Sequence, residues 1–373
     1  SYALEMQEKY PSNIWLIKSP EILDTHEILA LPEVQETIGK YNAQLLVFKN
    51  TIKIERLCAE KNWTLLNPSA ELAEKIENKI TQVEWLSELS SLLAPHTISP
   101  AKNIVWPGKP FIVQWSHGHT GDGTLLIQNE KDLETIKQKF PERLARASDF
   151  IKGPMFTANI VVTSSVILLG NISYQITGAL PFTDNPFTTI GNDWSVTHTI
   201  LSDAHVKDFE AIAQKIGIKM QKDGWKGLFG IDVIYDEERD VLCLIEINAR
   251  QPASTTLESE FQSTLLSHGI KGMTTFEAHL QALMGIPVAS ALIPINDGAQ
   301  IVQRLTKAFL LKNEKNLEDA FNIQGLLKAG YKVISYKNVK TNMDLLRIQS
   351  EQGIMETHLK FNQRGKDIIG LVS

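Results

Sequence analysis

The sequence has little cysteine, no excess of positive charge and no long apolar run, and each absence removes a class of function. Its two cysteines, Cys58 and Cys243, fall on an expected helix and an expected strand without metal-ligand spacing, so neither a disulfide framework nor a zinc site is expected. That usage suits a reducing compartment. The formal net charge is −6, and no Lys/Arg stripe carries interleaved aromatics, which speaks against a nucleic-acid partner. The most apolar segment, Asn159 to Gly170, is broken by Thr163, Ser164 and Ser165 and is too short to span a bilayer. No signal-peptide pattern is read at the start, so the expected location is cytoplasmic, with no membrane partner. No G-x-G-x-x-G follows an expected strand, so a dinucleotide site in the first part of the chain is not expected.

What is present is a chain of 373 residues, long enough for two or three domains with a sizeable core. Its most informative stretch is Gly227 to Thr255, GLFGIDVIYDEERDVLCLIEINARQPAST. Two apolar runs, Gly227 to Asp236 and Val241 to Arg250, flank the charged turn Glu237-Glu238-Arg239-Asp240 and read as a β-hairpin. Alternation places Leu242, Leu244, Glu246, Asn248 and Arg250 on one face of the second strand. Val241, Cys243, Ile245, Ile247 and Ala249 take the other, wholly apolar face. A loop of about five residues would set Asp232 opposite Glu246, so that two carboxylates and the Asn248 amide converge. Hard divalent cations take such oxygen ligands, and Mg²⁺ commonly sits on one or two carboxylates. The plain alternative is a half-solvated hairpin whose outer face is polar for solubility.

Residues 1 to 75 alternate short apolar runs and helical patterns: Asn13 to Ile17, a helix near Glu27 to Tyr41, Gln44 to Phe48, a helix near Ile52 to Trp63, then Thr64 to Asn67. That βαβαβ rhythm predicts a small parallel sheet. Helical segments follow to about Leu93 and contain Asn78-Lys79. Then Pro110 to Leu126 reads as strand, Gly-rich loop and strand, with Gly118, Gly121 and Gly123 able to bring backbone N–H groups close to phosphate; a flexible hairpin tip is the alternative. A helix near Glu130 to Phe140 precedes strands over Arg146 to Ile151, Met155 to Thr163, Val166 to Leu169 and Ile172 to Gly178. The segment Leu180 to Thr199 has no period and carries Phe182, Phe187 and Trp194, which suits a lid or binding loop; Asp193 and Trp194 are its expected substrate contacts. Asp203 to Lys222 is an amphipathic helix. Two more helices span about Thr256 to His268 and Thr275 to Met284, and short apolar runs from Gly298 onward predict a small β-rich module over 299–373.

These parts in this order resemble the ATP-grasp superfamily, most nearly D-alanine–D-alanine ligases and biotin-carboxylase-like enzymes, over about residues 1 to 290. The resemblance implies an α/β and α+β fold: a half-Rossmann-like domain over 1–75, two lobes over 76–298 that clasp ATP, and the β-rich module. It implies that Asp232, Glu246 and Asn248 hold two Mg²⁺ ions, with Mn²⁺ as an alternative, and that Arg250 steadies phosphoryl or acyl-phosphate oxygens. It implies ATP-phosphate contacts from Lys79, Gln114, Gly121 and Gly123, and adenine contacts along Ser148, Asp149, Phe150 and Ile151. The sequence departs from the family at three positions: Gln114 and Met155 replace a phosphate Lys and a ribose Glu, and Ser148 replaces a Glu. The implied activity is ATP-dependent ligation of a small carboxylate to an amine through an acyl phosphate, on amino-acid or peptide-like substrates, with a homodimer as one assembly open to it. A nucleotide- or metabolite-binding protein without the chemistry, and a carboxylase-type subunit, are the alternatives.

Overall fold

Most of the strand-forming runs gather into two antiparallel sheets that face one another across a cleft. The computed structural model describes residues 2–19, 21–116, 123–307, 321–336 and 343–372. The smaller sheet contains β1 (His96–Pro100), β2 (Phe111–Trp115), β3 (Thr124–Ile127) and β4 (Leu144–Asp149), in the order β1-β4-β2-β3. Period-two alternation buries Phe111, Val113 and Trp115 with Ile127 and Ala145 against Leu133 and Ile136 of the helix Glu130–Lys139. Ile112 and Gln114 are left on the cleft face.

The larger sheet contains β5 (Met155–Val162), β6 (Ile167–Leu169), β7 (Ser173–Thr177), β8 (Thr189–Asp193), β9 (Gly227–Asp236), β10 (Val241–Asn248), β11 (Ala299–Arg304), β12 (Lys332–Ser335) and β13 (Asp344–Ser350). Its order is β10-β9-β5-β7-β8-β11-β13-β12, with β6 paired to β5. Behind it packs the helix Asp203–Lys222, whose apolar stripe of Phe209, Ile212, Ala213, Ile216 and Met220 is buried in the main core with Phe229, Ile231 and Val233. Phe150 to Pro154 links the two sheets, and Gly153 is required there because a Cβ would collide with the Tyr235 carbonyl.

Two expectations are corrected. Most strands of the tail beyond Gly298 do not form a sheet of their own: β11 hydrogen-bonds to β8, and β13 and β12 extend the same sheet, while Met355–Thr357 and Lys360–Phe361 pair separately as a short two-stranded ladder. In residues 1–75 the expected helix over 27–41 breaks at Leu31, which is extended because it precedes Pro32, and gives the helices Thr25–Ala30 and Pro32–Tyr41. Among the described residues of this segment the parallel pairing is one bridge, Leu45 with Leu65. Asn67 then uses its side chain on both the N–H and the C=O of Val47, at 2.8 and 2.7 Å, which ends the ladder there. Among the described residues, no helix is long and apolar enough to cross a membrane.

Candidate active site

The hairpin of β9 and β10 is tighter than expected, and a bulge restores its alignment. Val241 pairs with Asp236, so the turn is the four residues Glu237 to Asp240, and Leu244 pairs with Val233. A regular ladder on that register would set Ile245 against Asp232. Instead the register slips at Ile245, and Glu246 pairs with Asp232 while Asn248 pairs with Gly230. The slip also exchanges the faces of β10, which corrects the simple alternation. Leu242 and Leu244 join Ile247 and Ala249 in the main core, while Ile245, Glu246 and Asn248 line the cleft.

The cleft holds a cavity of about 840 Å³ between the two sheets. On its floor Asp232 accepts hydrogen bonds from Gln175 Nε2 at 2.6 Å (to Oδ1) and Asn248 Nδ2 at 3.2 Å (to Oδ2). Burial, reinforced by the charge of Glu246, pushes the Asp232 carboxyl up to about 6. Burial would raise Glu246 as well, but Lys79, with its Nζ 2.8 Å from Oε1, holds it below the usual carboxylate range. Lys79 is itself buried, which draws its ammonium down against the opposing pull of Glu246. Two half-buried carboxylates close enough to repel call for a cation between them, and carboxylate with amide oxygen is a donor set for Mg²⁺. Among the described residues no group of three or more His, Cys, Asp and Glu forms a further metal cluster.

Arg250 borders the same cavity and is ion-paired through Nη1 to Glu77 Oε1; Glu77 also takes Lys49 Nζ at 2.6 Å, which ties the first segment of the chain to the site. Ser148, Asp149, Phe150 and Ile151 run along the cavity wall where β4 passes into the link between the sheets, and Met155 and Ile112 add apolar surface there. Gln114 lines the cavity, whereas Lys79 lies behind Glu246. The Gly123 carbonyl accepts from Trp115 N at 3.1 Å, and Gly121 lies outside the described residues.

Asp193 and Trp194 are not pocket residues. Asp193 is fully buried: its Oδ1 accepts from the backbone and hydroxyl of Ser195 and from Val196 N, and its Oδ2 accepts from Ile354 N and Met355 N at 2.6 and 2.8 Å. It fastens the tail to β8. Trp194 is 1% exposed and packs on Leu257, Ile295 and Phe261. Missing core periodicity does not mean exposure, because one aromatic can anchor a loop in a neighbouring core. The other half of that segment does reach the site, through Pro186, Phe187 and Thr189.

Sequence reasoning missed Arg146 and Gln175. Arg146 is 3% exposed, borders the cavity and donates to Gln114 Oε1 from Nε at 3.1 Å and from Nη2 at 2.7 Å. Burial draws its guanidinium down to about 10 while Glu246 opposes that. The signal was available, since Arg146 stands two residues before Ser148 and alternation puts both on one face.

The ATP-grasp domain family matches residues 76–254. Among curated proteins no sequence matches the chain. Among solved structures the chain is similar to N5-carboxyaminoimidazole synthetase from Staphylococcus aureus complexed with ADP, at 13% identity and TM-score 0.61, over 91% of this chain and 83% of that one. It is similar to the Aspergillus clavatus N5-carboxyaminoimidazole synthase in complex with ADP and 5-aminoimidazole ribonucleotide, at 15% identity and TM-score 0.62, over 90% and 89%. Biotin carboxylase from Campylobacter jejuni, in a β-γ-ATP complex, follows at 13% identity and TM-score 0.57, over 88% and 76%. Residues 76–254, which supply most of the walls of the cavity between the two facing sheets, match the ATP-grasp domain family, and the chain as a whole shares its fold with these structures.

Proposed function

We propose that the protein is an ATP-dependent ligase that joins a small carboxylate to an amine. The observation that carries this reading is the paired carboxylates Asp232 and Glu246 on the floor of a cavity that also presents Arg146 and Arg250. ATP would lie with its base along Ser148 to Ile151 and its phosphates toward the carboxylates. Asp232, Glu246 and Asn248 would hold Mg²⁺, which when bound supplies charge neutralisation for the phosphates. The γ-phosphoryl group passes to a carboxylate oxygen and ADP leaves. The amine then attacks the acyl carbon, phosphate departs with the C–O bonding pair, and the nitrogen loses a proton. Arg250, which borders the cavity, would steady the phosphoryl or acyl-phosphate oxygens as charge builds on them. The chain's part is positioning and charge stabilisation.

Two similar folds in ADP-bound complexes support a nucleotide in the cleft. The name of the biotin carboxylase neighbour favours a second reading, in which bicarbonate is the carboxylate. Amino-acid or peptide-like substrates are the first to try, in a cytoplasmic setting that the two free, buried cysteines suit. The test is ADP release with Mg²⁺ over a panel of amino acids, short peptides and bicarbonate, each with and without an amine. ADP formed only when carboxylate and amine are both present is the expected result. Tight ATP binding with no ADP from any pair would instead favour a binding protein.

A further inference from the structure

Gln114 and Arg146 are direct partners across β2 and β4, with Gln114 at the place where the resemblance leads one to expect a phosphate lysine. The guanidinium makes four hydrogen bonds, and every acceptor is neutral. Nε and Nη2 share Gln114 Oε1, Nη2 also donates to the Ile245 carbonyl at 3.2 Å, and Nη1 donates to Gln82 Oε1 at 3.2 Å. Gln114 is in turn braced through Nε2 on Thr124 Oγ1 at 3.3 Å. Among the described residues no carboxylate stands within ion-pair distance of Arg146; Glu246, whose charge reaches it, is paired with Lys79. A buried cation fixed by amides and a carbonyl is oriented but not neutralised, and such a charge is costly to keep unless an anion arrives. Four of its five N–H groups are thereby taken, which leaves one on Nη1 to donate to a phosphate oxygen while the full positive charge stays in place.

We propose that Arg146, oriented by Gln114, is the phosphate-binding cation of this site, supplied from the neighbouring strand in place of a lysine on β2. The positive charge has moved one strand sideways, and the residue at 114 has become its neutral support. Glutamine serves there because its amide oxygen can accept two N–H groups at once without cancelling the charge it positions. The assignment rests on the nucleotide reading of the cavity, so its test must be able to fail separately from that reading.

The measurement is calorimetric affinity of the full chain for ATP, AMP and adenosine at fixed Mg²⁺, with Tm recorded for every variant. Arg146→Gln should lose at least ~30-fold in ATP affinity while adenosine stays within about twofold, because only the phosphates meet the charge. The exchange Gln114→Lys with Arg146→Gln should regain at least ~10-fold of that loss. Because Arg146 is buried and its removal can unfold the chain, Gln114→Glu provides a second route. It pairs the guanidinium in place, so Tm should hold or rise while ATP binding falls by at least ~30-fold. A merely structural cross-link would not separate those two readouts. Wild-type ATP affinity in either Arg146→Gln or Gln114→Glu overturns the proposal, as does an equal loss of ATP and adenosine in Arg146→Gln without recovery in the exchange. A wild-type chain that binds adenosine no better than ATP, and neither measurably, removes the nucleotide reading itself.

Discussion

Glu246 faces Asp232 only because β10 carries one extra residue, Ile245, between the rung at Leu244 and the rung at Glu246. The four-residue turn alone would have offered Ile245 to the aspartate. The bulge therefore turns an ordinary apolar hairpin into a two-carboxylate floor, with Leu244 and Ile247 kept in the core on either side of it.

That floor is coupled to stability through Lys79. Glu246→Gln should abolish ADP release, with a drop of at least ~100-fold, and also destabilise the protein by about 3–5 kcal/mol, because it strands a buried ammonium. Adding Lys79→Met to Glu246→Gln should recover part of that stability without recovering activity. Urea unfolding alongside ADP release checks both halves. An unaltered turnover in Glu246→Gln would end the metal assignment, and additive stability losses would deny the pairing.

Gln114→Lys, taken alone, should not tighten ATP binding. It removes the acceptor of two Arg146 hydrogen bonds and sets an ammonium against a buried guanidinium. A Tm fall of several degrees is expected, corresponding to about 1–3 kcal/mol for the unsatisfied donors. Thermal unfolding decides it: an unchanged Tm would mean that Arg146 finds other partners.

Trp194→Ala should behave as a core truncation. The ring is 1% exposed and packs edge-on against Phe261 at 5.9 Å between centroids. The expected cost is about 3–5 kcal/mol, with the KM for both substrates unchanged in the fraction that remains folded. A raised KM for the acceptor at unchanged stability would return Trp194 to the binding surface.

Acid should weaken the protein through His279. Its Nδ1 accepts the Leu228 amide at 3.0 Å, and burial lowers the ring to about 4 from an ordinary 6.5. The unfolded chain then binds the proton first, so stability is complete above about 6.5 and falls as pH drops toward 4, by on the order of 3 kcal/mol in all. Urea midpoints at pH 7 and pH 4.5 should diverge more for the wild type than for His279→Gln. Parallel pH dependences would show that this ring is not the group responsible.

The sequence by itself determined what depends on neighbours along the chain. The period of two in Phe111–Trp115 told which residues leave the core, the stripe in Asp203–Lys222 gave a helix with its buried face, and the run from Gly227 to Asn248 gave a hairpin with carboxylates near its middle. Side-chain periodicity is local physics, set by backbone geometry and readable without contacts. Tertiary structure decided the rest. It set the bulge at Ile245, because a register slip of one residue is settled by which side chains the two cores accept. It brought Arg146 to Gln114 and Arg250 to Glu77, across 32 and 173 residues of chain. It also turned Asp193 and Trp194 inward and drew the tail strands onto the edge of the larger sheet. An unpaired strand edge and a buried charge are satisfied by whatever the fold brings near, and nothing in the residues next to them along the chain says what that will be.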